Sequence, residues 1–396
     1  MKHPADFCPS CSTSTRRHIL TWIEEITSRF LPPTPLSKNG ETWLQGTIEN
    51  ILALIGTVEY RDDFRESDIE PRSWRFIKEA EKRGIHFYSL YGPAGFTNNF
   101  KAVGDGKTVR FDMLPVAEFA NGRNARFADD KKKTKLFLKK NNFPAADGKA
   151  FWFWEKKKAL MYGQSIDFPL VVKPRNGSVS RHVTTDIQTE KELGEAIRYA
   201  ILYSPSFIIE KFVAGSLHRG TVIDFKFVAC VEQLPANIVG NGVATIRELI
   251  DAKNTDPRRG RSDAPHSTLH KIVENSVSEK MLAEKNYTEK TVPKNGELIY
   301  LQKDPFLKWG GDLHEVTPYV HPDNVKLFED IARAFEIHAV GIDFIIPDIR
   351  TSWKQQTCAI LELNSVPAID VHHVPTTGTP TNPAAALVDM FLKYYV

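Results

Sequence analysis

The hydrophobic pattern of this chain switches repeatedly between the period of a helix and the period of a strand. In RRHILTWIEEITSRF (16–30), Ile19, Trp22, Ile23 and Ile26 recur at helical spacing, and LPPTPLSKNG then breaks the pattern. NILALIGTVEYRD reads as a buried strand or a short helix. PRSWRFIKEAEKRGI predicts a helix opened by Pro71 and closed at Gly84. HFYSLYG and TVRFDML read as strands, so the region to about residue 127 is expected to be α/β.

Beyond it, DDKKKTKLFLKKN (129–141) predicts a short helix starting after Asp129 or Asp130. Its pattern rests on Leu136, Phe137 and Lys140, and Lys131, Lys132, Lys139 and Lys140 form a solvated charged face. FPLVVKP (168–174) is a compact apolar strand ending on Lys173. TEKELGEAIRYAIL (189–202) carries a Thr189/Glu192 capping box and presents Leu193, Ala196, Ile197 and Ala200 on one face. SFIIEKFV (206–213) is a buried strand that nonetheless holds Glu210 and Lys211, and TVIDFKFVACV continues the strand pattern. TIRELIDAKN is a helix after the Gly240/Gly242 turn, followed by the loop DPRRGRSDAPHS. NVKLFEDIARAFEI (324–337) turns Val325, Phe328, Ile331, Ala332 and Phe335 one way. Strands, helices and hairpins in this mixture predict an α+β fold.

Composition narrows the functional classes. The 396 residues are 41% hydrophobic and 26% charged, with a net charge of +3, as in an ordinary globular protein with no nucleic-acid surface. No apolar run approaches a membrane span, and MKHPADFCPSC lacks the apolar core of a secretory signal, so cytoplasm is expected. Four cysteines make no disulfide framework. Cys8 and Cys11 form a CxxC that reads as a terminal tail, half a zinc site or a redox pair; Cys230 and Cys358 read as core residues.

The chemistry concentrates in two stretches near the C-terminus, GIDFIIPDI (341–349) and ILELNS (360–365). Glu362 and Asn364 are two apart and share a strand face, with Ala359, Leu361 and Leu363 on the other. If the stretches pair, Asp343 joins the polar face, and two carboxylates plus an amide oxygen are the hard ligands magnesium prefers beside phosphate. The alternative is three strand-end residues that meet water. Lys173, Glu210, Asp343 and Glu362 all end apolar strands, which suggests a cleft between sheets, yet neither GxxxxGK[ST] nor GxGxxG occurs.

DKKKTKLFLKKNNFPAADG, FPLVVKPRNG, FIIEKFVAG, VGNGVATIRELIDAKNTDPRRG, GIDFIIPDI and ILELNSVPA occur in an order that resembles the ATP-grasp ligases. The similarity is to the ATP-grasp module of cyanophycin synthetases and of glutathione synthetase-like peptide ligases, without the Mur-ligase-like domain of the former. It implies two α+β lobes gripping ATP, an N-terminal lobe at 128–211 and a C-terminal lobe with the metal site at 212–396, preceded by a substrate or structural region at 1–127. It also implies a carboxylate–amine ligase acting through an acylphosphate on an amino acid or peptide. ATP and magnesium, or manganese in its place, would be required.

Carried over by motif, Lys135 (with Lys133 as its rival) and Lys173 would contact phosphates, and Glu210, Lys211, Phe212 and Val213 would face adenine. Asp343, Glu362 and Asn364 would hold the metal. Arg219, Arg258 and Lys303 would serve the reacting groups, with Arg247, Arg259 and His266 as further basic candidates. The N-terminal region would supply substrate contacts or a homo-oligomer surface, and no nucleic acid or membrane is expected as a partner. The chain departs from the family pattern at NGSVSRHV (176–183), where small residues are expected. It departs again at Leu217, where relatives carry an acid, and at Gln302, where they carry an arginine. These departures keep two rivals open: a nucleotide-binding protein without catalysis, and an ATP-grasp kinase.

Overall fold

The computed structural model describes residues 15–30, 56–116, 128, 131–175, 182–261, 264 and 266–395. Cys8, Cys11, the stretch 49–55 and loop residues 176–181 lie outside them. Helix α1 (Thr15–Phe30) is present, but it buries His18 and Glu25 and leaves Ile19 and Ile23 60% and 52% exposed. The Glu25 carboxylate accepts hydrogen bonds from the hydroxyls of Ser204 and Ser206, so a polar anchor overrides the apolar stripe.

The first sheet is antiparallel, in the order β1 (Glu59–Arg61), β2 (His86–Gly92), β3 (Gly95–Gly104) and β4 (Lys107–Asp112). Helix α2 (Pro71–Glu81) packs against it through Phe76, Ile77 and Ala80, with Pro71 at its first turn as its sequence predicts. A second antiparallel sheet, ordered β5-β8-β6-β7, follows helix α3 (Lys131–Lys140). Its strands are β5 (Gly148–Trp152), β6 (Leu170–Pro174), β7 (Thr184–Ile187) and β8 (Ser206–Lys211). Helices α4 (Lys156–Ser165) and α5 (Glu190–Ile201) cover it, and the Thr189/Glu192 capping box forms. On α3 the buried positions are Thr134 and Leu138, whereas Leu136 faces solvent, opposite to expectation.

The third sheet has the order β15-β10-β9-β16-β17. TVIDFKFVACV is not one strand: β9 (Ser216–Ile223) and β10 (Lys226–Leu234) form a hairpin over Asp224 and Phe225, both with positive φ. A small unit of β11 (Asn237–Val239), helices α6 (Ile246–Asn254) and α7 (Ser276–Glu284) and β14 (Leu298–Tyr300) has its own core of Ile238, Ile246, Ile250, Leu282 and Ile299. The two-residue strands β12 (Arg259–Gly260) and β13 (Leu269–His270) pair beside it. After β15 (Asp312–Glu315), helix α8 (Pro322–Phe335) packs Leu327, Phe328, Ile331, Ala332 and Phe335 on the sheet. The chain then runs through β16 (Ala339–Ile346) and β17 (Ala359–Asn364). Helix α9 (Pro383–Tyr395) returns to the first sheet, where Leu387, Val388 and Phe391 share a core with Phe76, Phe87 and Phe111. Among the described residues no helix is long and apolar enough to cross a membrane.

Candidate functional site

β16 and β17 pair antiparallel with Asp343 opposite Glu362 and Gly341 opposite Asn364. The register shifts directly after Asp343, so Phe344 meets Ile360 and Leu361 is the extra residue of a bulge. The bulge changes the expected facing: Ile360 joins Leu363 in the core beneath α8, while Leu361 is only half-buried. Glu362 and Asn364 keep the polar face.

On the other side of β16, Arg219 of β9 stands opposite Asp343. Its Nε and Nη2 donate to the two carboxylate oxygens at 2.7 and 2.8 Å, a fork geometry. Burial pushes the Asp343 carboxyl up to about 6; Arg219 opposes this, and Glu362 adds to it by like charge and a shared hydrogen bond. Glu362 is held below its ordinary value: burial acts upward, but Lys131, Arg219 and the hydrogen bond from Asp343 outweigh it. Buried Asp343 and half-buried Glu362, facing each other across the ladder, offer carboxylate oxygens of the kind a divalent cation takes. The buried amide nitrogen of Asn364 has no hydrogen-bond partner. Among the described residues no group of three or more His, Cys, Asp or Glu forms a cation cage, so phosphate or water oxygens would have to complete the shell.

The second cluster lies on the neighbouring sheet. Glu210, 3% exposed, is ion-paired with Lys173 at 3.0 Å and with Lys135 of α3. Burial acts to raise the Glu210 pKa, and the two lysines overcome it and hold the group low. Burial lowers Lys135 to about 8, helped by Lys173 and opposed by Glu210. Gly148 stands opposite Glu210, where a Cβ would come within 2.6 Å of its Cγ, so this carboxylate needs a glycine across the ladder.

Lys131 joins the two clusters, which corrects its reading as a solvated lysine. Its Nζ is 3.6 Å from Glu362 Oε2, and burial lowers its pKa against the pull of Glu362. Lys131 and Lys135 are four residues apart on one helix face, and that spacing was the available signal.

The segment after Glu210 is held by one side-chain cation, one backbone bond and apolar packing. Lys211 Nζ donates to the carbonyls of Asp167 and Phe168 at 3.1 Å, Phe212 N donates to Pro169 O at 3.0 Å, and Val213 packs with Ala146 and Ala359. Arg258 is held outside both clusters by Asp256 and by the Pro375 carbonyl at 2.7 Å. Lys303 is exposed and acts on Asp304, whose carboxyl burial pushes up. Among the described residues no hydrogen bond or ion-pair partner is shared by Arg219, Arg258 and Lys303. Arg247 pairs with Glu274 and Glu289 at the surface. Arg259 is buried against Asp312 and the carbonyls of His270, Gly310 and Gly311. Gln302 is buried and donates to Asn275 Oδ1 at 3.1 Å. His182, at the end of the altered loop, is buried, with its Nδ1 2.8 Å from the Tyr199 carbonyl oxygen.

No protein-family model matches the sequence. The chain is 32% identical over 337 residues to the cyanophycin synthetase of Trichormus variabilis, a match covering 84% of the chain and 36% of that protein. It is 29% identical over 354 residues to the glutathione biosynthesis bifunctional protein GshAB of Clostridium perfringens, covering 85% of the chain and 44% of that protein. The chain thus spans less than half the length of these curated relatives. Among solved structures, the bifunctional glutathione synthetase from Pasteurella multocida superimposes with a TM-score of 0.64 at 21% identity, over 83% of this chain and 44% of that one. The fold is shared with that enzyme.

Proposed function

Because the chain belongs to the ATP-grasp superfamily, we propose that it is an ATP-dependent carboxylate–amine ligase acting on an amino acid or peptide. The supporting observation is the opposition of two acidic–basic clusters: Asp343, Glu362 and Asn364 with Arg219 and Lys131, and Glu210 with Lys135 and Lys173. Asp343, Glu362 and Asn364 would hold magnesium, which would offset phosphate charge when bound. Lys135, Lys173 and Lys131 would meet the triphosphate, exchanging carboxylate partners for phosphate oxygens. The backbone of Glu210 to Val213 would line the base pocket. Arg219, fixed by Asp343, would hold the substrate carboxylate in line with the transferring phosphoryl group. Attack by an amine on the resulting acylphosphate would form the amide and release phosphate, beside the ADP already formed. In this reading residues 128–211 and 212–396 are the two gripping lobes, and the enzyme works in the cytoplasm.

An ADP-release screen over amino acids and dipeptides, with mass spectrometry of the products, tests the proposal. ADP release that requires both a carboxylate and an amine substrate is the expected result. Release with one substrate and a stable phosphorylated product would make the protein a kinase. ATP binding without turnover across the panel would make it a nucleotide-binding protein.

A further inference from the structure

β17 is the last strand of its sheet and has one ladder neighbour, β16. Its register with β16 ends at Gly341–Asn364, so the chain beyond Asn364 leaves the ladder next to the proposed metal face. A strand end at a sheet edge frays unless something outside the sheet holds it. Here the holder is α2, which belongs to the N-terminal region. Arg72 Nη1 donates to the Val366 carbonyl at 3.0 Å, across 294 residues of sequence. Val366 packs against, and Ile369 lies within, the core that contains Phe76, Ile77 and Ala80 of α2. At its far end the segment is tied to the sheet. His372, fully buried, stands with Nε2 2.8 Å from the Thr221 hydroxyl of β9 and Nδ1 3.3 Å from Glu315 of β15.

Pro367 carries the tether to the site. A Cβ built on Gly341 would lie 3.6 Å from Pro367 Cβ and 3.7 Å from both Asn364 Cβ and Arg219 Cδ. Pro367 therefore crosses the polar face at the row that holds Asn364, beside the stem of Arg219. In a close-packed interior, movement of Val366 would shift Pro367 and with it those two side chains. The arginine is retained at a cost, because its Nε is buried without a hydrogen-bond partner. An apolar side chain would pack there without that cost, and what it would lack is the donor to Val366.

We propose that Arg72 is a positioning residue for the metal face: through the Val366 carbonyl and Pro367 it holds Asn364 and Arg219 in the arrangement that receives magnesium and ATP. The N-terminal region thus takes part in the site without touching a ligand. This role rests on the reading of Glu362 and Asn364 as metal ligands, and the two can fail separately.

The test titrates ATP into the full chain by calorimetry with and without magnesium, and follows amide hydrogen exchange. Arg72→Met removes the donor and keeps the length of the stem. It is expected to weaken magnesium-dependent ATP binding about tenfold, to leave binding without magnesium unchanged, and to speed exchange at 362–366. Arg72→Lys, which keeps a donor, restores binding to within about threefold of wild type. Ile77→Val trims the same core without touching the carbonyl and leaves the magnesium dependence intact. By linkage, magnesium and ATP together slow exchange along α2 in the wild type, a measurement that serves if Arg72→Met does not fold. If the wild type shows no magnesium-dependent ATP binding, or Glu362→Gln leaves it unchanged, the metal reading fails and the positioning role falls with it. If Glu362→Gln weakens that binding and Arg72→Met does not, the positioning role alone falls. Equal losses in Arg72→Met and Ile77→Val, or no protection of α2 by magnesium and ATP, also overturn it.

Discussion

Asp343 faces Glu362 directly across the β16–β17 ladder, and Arg219 grips Asp343 from β9 with both ends of its fork. Each carboxylate alone would be a strand-end acid. Side by side, with Asp343 buried and Glu362 half-buried, they are the pair proposed above to hold a divalent cation. Glu362→Gln removes one shared anionic ligand while keeping the shape of the side chain. Magnesium-dependent ATP binding should weaken by about 100-fold or more, with the melting temperature of the nucleotide-free protein little changed. Calorimetric titration of ATP with and without magnesium checks this, and retained binding would remove Glu362 from the metal assignment.

Glu210 is the counter-ion for buried Lys173 and for the partly buried Lys135. Glu210→Gln leaves Lys135 and Lys173 without that charge and should destabilise the nucleotide-free protein by about 3 kcal/mol. ATP supplies replacement anions, so its stabilising effect should be larger in the variant than in the wild type. Thermal denaturation with and without ATP reads both changes. Equal ATP-induced shifts would mean that the lysines do not meet phosphate.

Gly148 gives Glu210 the room it occupies. A methyl there would approach the Glu210 Cγ at 2.6 Å and the Ile209 carbonyl at 2.7 Å. Gly148→Ala should therefore cost about 1–3 kcal/mol through displacement of β5 from β8, measured by denaturant unfolding. An unchanged midpoint would show that the ladder relaxes without strain.

His373 is held neutral, its pKa lowered to about 4 by burial first, with Arg75 and His372 adding to the effect against Asp370 and Glu79. The folded protein thus binds this proton more weakly than the unfolded chain does. The stability from the neutral ring is complete above pH ~6.5 and is lost as pH falls toward 4, by roughly 2–3 kcal/mol. His373→Gln should flatten the acid limb of the stability profile between those values. A limb of unchanged slope would assign the acid sensitivity to other groups.

Local periodicity carried most of the elements. The capping box at Thr189/Glu192, the proline-led helix α2 and the alternating ILELN strand each follow from contacts within a few residues, and all three form. Periodicity misled where distant partners intervened. Glu25 turned α1 toward Ser204 and Ser206 and away from its isoleucine stripe, and the bulge at Leu361 moved Ile360 into the core. Lys131 reads as one more solvated lysine until α3 is laid against β17.

The sequence by itself determined which residues could do chemistry: the spacing of Glu362 and Asn364 places them on one face of any strand they form. Only the tertiary structure decided what they meet, because strand register and the packing of α3 and α2 are set by contacts between residues far apart in the chain. Charge pairing depends on those distances, and the same lysine is a surface group or part of a site according to the sheet that lies beneath it.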